Sequence, residues 1–458
     1  MTRIPAIAAV TVRGAIRSRV LVSLLAVLAL VIVGLPLSIK GDGTVGGMVQ
    51  VLLSYTLEFA GLILALAIVW AGCGAVSLEV RDRQIHLIMV KPVTALELWA
   101  GKWLGLVVLL AVLHAAAGAG VYGMLRWTTR AGTLSADDRV RLRDEILVAR
   151  RAIAPQPPDI EGQARARFES EREGGRLPAH VPVEQVYAAI RAEARAAAFG
   201  VAPSGRRVFT YAIPGGVAQD RPAHLRFRFV KSVLDFEPVA GNWAVAAPGG
   251  AIRFEAPGAW RPGAVHSIEV PGSALAGLST VEFTFENRDP AGAALYFDPD
   301  DGLRLLVHRG GFLGNYVRAL LTMLFQAALL AAIGLTAGSL LSMPVASFAA
   351  LAVVLATRMS GTIVGMARDG PALFQSIGAK EGWALVADRI YRGYFVALEW
   401  LTAPLRGTDV LDRLATGQLV GWGEVVRMGL MEVVMGCGLF AILGAWLFRR
   451  RELGAAQG

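Results

Sequence analysis

Cysteine is almost missing from this 458-residue chain: Cys73 and Cys437 are the only two, and each lies inside an apolar run. The polar middle of the chain therefore has no disulfide available to it, and cysteine usage does not reveal a redox compartment. Two small apolar packing residues is the reading left for the pair. No zinc-type ligand spacing occurs. The six histidines (His86, His114, His180, His224, His266 and His308) are scattered, with no His-Glu-x-x-His and no Gly-x-Ser-x-Gly elbow nearby. The signatures of metalloproteases and serine hydrolases are thus absent, and the chain is expected not to be an enzyme by itself. A phosphate-binding loop is missing too, because Gly101-Lys102 lacks the upstream glycine and the following Ser or Thr. Charge is scarce, 18% of residues against 55% hydrophobic, and the net +9 comes mostly from arginine. No basic run interleaved with aromatics points to nucleic acid. In so apolar a chain, basic excess first suggests cytoplasmic loops and anionic lipid head groups.

What is present is a set of long hydrophobic runs. Val20–Leu37, Val49–Val76, Leu104–Leu125, Phe312–Leu341, Val345–Met366 and Val425–Phe448 each approach the length that crosses about 30 Å of hydrocarbon. This predicts a polytopic α-helical membrane protein with six transmembrane helices. Met1–Arg19 carries Arg3, Arg13, Arg17 and Arg19 and no acid, and reads as an amphipathic interfacial helix. A signal peptide is disfavoured, since the apolar run is long and no small-x-small site follows. The N-terminal arginines, Arg81, Arg83, Lys91, Lys102 and Arg449–Arg451 fall on one side if there are six spans. The positive-inside rule then places both termini and the 77–103 loop in the cytoplasm, in an inner-membrane protein. Residues 367–424 are basic, and their best apolar piece, Tyr394–Leu401, is too short to cross. They read as interfacial or re-entrant helices anchored by Trp400 and Trp422.

The composition gives four regions: 1–126 with three spans, 127–205 helical, 206–311 β, and 312–458 with three further spans. Ser135–Ile153 and Val183–Phe199 are expected helices. From Arg207 the period switches to two, in Val208-Phe209-Tyr211, Leu225-Phe227-Phe229, Ile252-Phe254, Ile268-Val270, Val281-Phe283-Phe285 and Leu303-Leu305-Val307. Short alternating strands between Pro, Gly and Asp turns predict an antiparallel β-sandwich. Together 127–311 form a large extracytoplasmic α+β insert between the third and fourth spans. Asp298-Pro299-Asp300-Asp301-Gly302 lacks the register and the closing Glu of a calcium loop, so it reads as a turn.

Ser77–Trp103 is the charged connection between the second and third runs. Two amphipathic pieces, Leu78–Val90 and Thr94–Trp103, meet at Lys91-Pro92, where the proline ring removes a donor and restricts its neighbour. The order of Glu79, Lys91, Pro92, Glu97, Gly101 and Lys102, with apolar residues between, resembles the first cytoplasmic loop of ABC-2 type transporter permeases. The resemblance covers Met1–Leu125 and, more loosely, Phe312 to the C-terminus. It implies a membrane-spanning permease subunit of an exporter, a homodimer or a heterodimer with a similar permease. It also implies that a separate ABC ATP-binding subunit, which binds ATP and Mg2+, docks on the loop through Glu79, Arg81, Arg83, Lys91, Pro92, Glu97, Gly101 and Lys102. Ionisable residues inside the apolar runs are Glu58, Arg318, Arg358, Arg427 and Glu432; similar depths allow Glu58–Arg318 or Arg358–Glu432 pairing. A bland role is the stronger expectation for them: fixing helix register or snorkelling to head groups. A reading from another class also stands, that of a non-transporting anchor displaying the β region to bind glycan or an envelope protein.

Overall fold

The computed structural model describes residues 3–352 apart from short breaks at 18, 40–43, 83–92, 131–133, 178–182, 234, 290–291 and 299–301. Beyond 352 it describes 355, 386–387, 389–391, 393–394 and 410–450. The chain divides into a helical unit, Met1–Leu147 with Gly311–Gly458, and a second unit, Val148–Gly310.

In the helical unit four helices are long and apolar enough to cross a membrane: Val45–Arg81, Ala95–Thr128, Phe312–Leu340 and Trp422–Arg449. The run near the N-terminus forms two helices, Arg3–Arg17 and Arg19–Ser38; the first and Val22–Ser38 of the second lie 70° apart and together meet the same test, as a broken span or a re-entrant loop. Most of the fifth expected run, Val345–Met366, lies outside the described residues; its start is the short apolar helix Met343–Ala352. Thr44 opens the 45–81 helix, its hydroxyl accepting from the Gly47 N–H at 3.0 Å. A π-helical turn follows at Val51–Tyr55, where Thr56 Oγ1 donates to the Val51 carbonyl five residues back.

The 95–128 helix corrects one reading. Thr94–Trp103 is not a separate amphipathic piece but the first part of a single 34-residue helix. A capping box explains why: the Glu97 N–H reaches Thr94 Oγ1 at 3.2 Å and the Thr94 N–H reaches Glu97 Oε2 at 2.8 Å. Two first-turn donors are thereby satisfied, so the helix can start at Ala95, nine residues ahead of its apolar stretch at Leu104. Its length, about 51 Å at 1.5 Å per residue, exceeds the hydrocarbon thickness of about 30 Å. The expected hinge at Lys91-Pro92 lies outside the described residues.

Glycines set how closely the long helices approach. The 45–81 and 312–340 helices cross where a Cβ on Gly334 would lie 2.7 Å from the Val69 carbonyl oxygen. One on Gly338 would lie 2.3 Å from that of Cys73. The spacing Gly334-x-x-x-Gly338 puts both on one face, as in close helix pairs within lipid. Trp99 and Trp103 tie the 95–128 helix to the same neighbour: Trp99 Nε1 donates to Thr336 Oγ1 at 3.2 Å, Trp103 Nε1 to the Ala328 carbonyl at 3.0 Å. Thr336 Oγ1 in turn donates a hydrogen bond to the Phe440 carbonyl of the 422–449 helix at 3.2 Å.

The second unit holds a helical pair and a β region. Ile160–Glu173 and Val183–Phe199 pack through Ala164, Val186, Ile190 and Ala194. Eleven strands are described: β1 Val148–Ile153, β2 Gly200–Val201, β3 Arg206–Ala212, β4 Ala223–Phe227, β5 Phe229–Lys231, β6 Val239–Ala246, β7 Ile252–Trp260, β8 His266–Val270, β9 Thr280–Asn287, β10 Leu295–Phe297 and β11 Leu303–Gly311. They form not one sandwich pair but three sheets, ordered β1-β11-β4-β8, β2-β10-β5 and β3-β9-β6-β7. All three contribute to one aromatic core of Phe209, Phe227, Phe229, Trp243, Phe285 and Phe297. The alternating positions named from the sequence supply most of that core. β6 was not legible, because Gly241 and its alanines carry little β signal, yet it is central, pairing β7 on one side and β9 on the other.

The expected Ser135–Ile153 helix is cut short. Ser135 caps it as expected, its hydroxyl accepting from the Asp138 N–H at 3.1 Å. A π turn at Leu142–Ile146 ends it, and Val148–Ile153 joins the sheet of β11 as an edge strand. A ready sheet edge outweighs a weak local helical pattern.

On β9, Glu286 accepts from Arg206 Nη2 at 2.7 Å and from Arg288 Nε at 2.8 Å, and these guanidinium groups hold its carboxyl below the usual carboxylate range. The folded form therefore binds its proton less readily than the unfolded chain, so the arrangement stabilises above the unfolded pKa of about 4.3 and fades as pH falls through the folded one. Thermal unfolding of the β unit, followed in the full chain by protease accessibility, should be flat near neutrality. Below about pH 4.3 it should drop, and Glu286→Gln should flatten that drop.

Candidate functional site

The residues singled out in the 77–103 connection fall into two groups. Glu79 and Lys102 are joined: Lys102 Nζ donates to Glu79 Oε1 at 2.5 Å and to the Ala75 carbonyl at 2.9 Å. The Lys102 side chain is only 4% exposed. It is therefore a latch between two long helices rather than a group offered to a partner. Gly101 is also enclosed, since a Cβ there would lie 2.6 Å from the Ile7 Cβ and 3.1 Å from the Ile4 carbonyl oxygen. Gly105 repeats the contact one turn on, 2.8 Å from the Ala8 carbonyl oxygen and the Thr11 Cβ. Gly101-x-x-x-Gly105 thus seats the N-terminal helix on the 95–128 helix, a spacing legible in the sequence but not used in reading it.

The exposed group is smaller. Arg81, 72% exposed, pairs with its neighbour Asp82 at 3.0 Å. Glu97 holds the capping box and faces Arg3 at 3.8 Å. Arg83, Lys91 and Pro92 lie outside the described residues. The helix ends that flank the connection are thus welded at Glu79–Lys102 and buttressed by Ile4, Ile7 and Ala8, with Arg81 and Asp82 exposed and Glu97 half-buried in its capping box. Such an assembly couples the ends of two stiff helices into one unit. Among the described residues no group of three or more His, Cys, Asp or Glu could hold a metal ion.

The charges within the spans are arranged differently from the expectation. Arg318 does not pair with Glu58: its guanidinium lies 5.6 Å from the Trp422 ring centroid and reaches Asn315 Oδ1 at 3.4 Å. Asn315, fully buried, donates through Nδ2 to the Gln418 carbonyl at 2.7 Å and accepts the Val420 N–H at 2.8 Å. Arg413 and Glu424 close the same segment with an ion pair. These contacts fix residues 410–424 against the start of the 312–340 helix and account for Trp422, one of the two anchors expected there; Trp400 lies outside the described residues. Glu58 and Arg427 are exposed. Glu432 is 2% exposed in the π-helical turn Gly429–Gly436, and its Oε2 has no hydrogen-bond partner among the described residues. Its possible partner Arg358 lies outside them. A buried carboxyl in a widened turn of an apolar helix is the kind of group that serves a function rather than stability.

No family model matches the chain, and no match is found among the curated proteins or the solved structures.

Proposed function

We propose that this chain is the membrane-spanning permease subunit of an ATP-driven exporter of the ABC-2 type, worked by a separate ATP-binding subunit. One observation carries the reading. The connection whose residue order resembles that family's coupling loop is flanked by stiff continuations of two long apolar helices, latched by Glu79 and Lys102. A partner that presses on such ends moves the spans behind them as rigid bodies, which is how nucleotide-driven closure can switch a path between two states. In this reading six spans cross the inner membrane, both termini and the 77–103 connection are cytoplasmic, and the 127–311 insert is extracytoplasmic. Two such chains, identical or similar, surround the path among membrane lipids. ATP and Mg2+ belong to the partner, and this chain contributes no catalytic residue.

The display reading draws support from the separate aromatic core of the second unit. One experiment separates the two. Detergent-solubilised chain is used as bait in its own cell lysate, wild type beside Arg81→Glu/Lys91→Glu. These positions are chosen because Arg81 is exposed, whereas substitution at Glu79 would break the latch. The transporter reading expects wild type to recover a nucleotide-binding subunit and the variant to lose it at least about tenfold, or 1.4 kcal/mol of affinity. A folded wild-type chain that recovers no ATPase, but brings down an envelope protein or glycan, moves the conclusion to the display module.

A further inference from the structure

Beside its close seat on the 95–128 helix, the N-terminal helix leaves a gap toward the rest of the bundle. Between it, the Arg19–Ser38 helix and the two latched helices lies a slot of about 870 Å³. Its walls run from Leu64 to Glu79 on one long helix and from Leu98 to Leu113 on the other. Each stretch rises fifteen residues, about 22 Å at 1.5 Å per residue. Ile7, Val10 and Gly14 close one side and Leu24 another. The lining is apolar or small apart from Thr11 and, toward the latched end, the Glu79–Lys102 pair and Arg3, which faces Glu97.

Two features say what fits. An apolar cavity offers water too few partners to fill it, and around a membrane-spanning bundle the alternative solvent is lipid. One leaflet of hydrocarbon is half of about 30 Å, so a slot about 22 Å deep takes a whole acyl chain with its head at the polar end. That end has unspent hydrogen-bonding capacity. An ammonium carries three donors, and Lys102 spends two, on Glu79 and Ala75. Glu79 Oε2 is buried with no hydrogen-bond partner among the described residues. A phosphate can therefore accept from Lys102 and Arg3, while a head-group hydroxyl donates to Glu79 Oε2. At this end Arg3, whose side chain is half-exposed, faces Glu97 at 3.8 Å, so its guanidinium keeps an outward side.

We propose that this slot holds an acyl chain of one anionic phospholipid, its phosphate against Arg3 and Lys102 at the latch. The resident lipid fills the space beneath the N-terminal helix and ties it to the Glu79–Lys102 pair; nothing in this requires that the chain transports anything. The test is native mass spectrometry of the full chain after detergent exchange in equal amounts of phosphatidylglycerol and phosphatidylcholine. Wild type should retain one phosphatidylglycerol with at least about tenfold preference. Ala71→Phe, which fills the wall of the slot, should lose bound lipid of both kinds. Arg3→Gln, at a half-exposed side chain and so compatible with folding, should keep a lipid but lose the preference severalfold. Equal retention of the two lipids by wild type, or an unchanged preference in Arg3→Gln, overturns the proposal. So does undiminished lipid on a folded Ala71→Phe chain.

Discussion

Lys102→Met should lower the stability of the helical unit by about 3–5 kcal/mol, the usual loss when one member of a buried ion pair is removed. The side chain is almost entirely enclosed and serves two acceptors, Glu79 Oε1 and the Ala75 carbonyl. Methionine keeps the stem and its packing but leaves the carboxylate without its counter-charge. The measurement is SDS- or heat-induced unfolding of the purified chain, read by tryptophan fluorescence; Trp99 and Trp103, close to Lys102 in the same helix, make the signal sensitive there. The double variant Glu79→Leu/Lys102→Met removes both charges and should recover most of the loss, because a buried pair replaced by apolar groups is often neutral or stabilising. A single variant within about 0.5 kcal/mol of wild type, the range typical of surface substitutions, would mean that the pair is solvated and the latch does not exist.

Gly338→Ala is the second large effect, and two terms oppose each other in it. Alanine gains about 1 kcal/mol over glycine in a helix interior. Here, however, the added methyl would sit 2.3 Å from the Cys73 carbonyl oxygen and 2.8 Å from its Cα, both backbone atoms that cannot rotate away. The 45–81 and 312–340 helices must separate, with loss of contacts among Val69, Cys73 and Leu335 in the shared core. Overpacking of this kind typically costs about 1–3 kcal/mol. Because the neighbour is backbone, the upper part of that range is expected, and Gly334→Ala/Gly338→Ala should abolish a stable fold. Gly314→Ala in the same helix is the control: no atom lies within 4 Å of its added Cβ, so propensity alone acts and stability should hold or rise. If Gly338→Ala behaves like Gly314→Ala, the close crossing is not a feature of the folded protein.

Much of the architecture was legible from the chain because the signals are local. A run of apolar residues fixes a helix suited to a membrane whatever surrounds it, and four of the expected runs are such helices. Alternation in Val281-Phe283-Phe285 or Leu303-Leu305-Val307 fixes a strand with one buried face. The Ser135 cap was likewise readable from its own next three residues. What failed locally was weak locally: β6 is built of small residues, and Val148–Ile153 is a strand only because β11 offers it an edge.

The candidate site was legible only in its residue types. Lys102 and Gly101 looked like members of a docking surface until Glu79, 23 residues away, was placed on the one and Ile7 on the other. Arg318 could equally have faced Glu58; folding residues 410–424 back onto Asn315 decided for Trp422. The sequence alone determined four helices of membrane length, most of the strands, and where charge is concentrated, since hydropathy and periodicity are properties of neighbours along the chain. Only the tertiary structure decided which of those charges are spent inside and which stay exposed, because burial and pairing depend on residues that the chain keeps far apart.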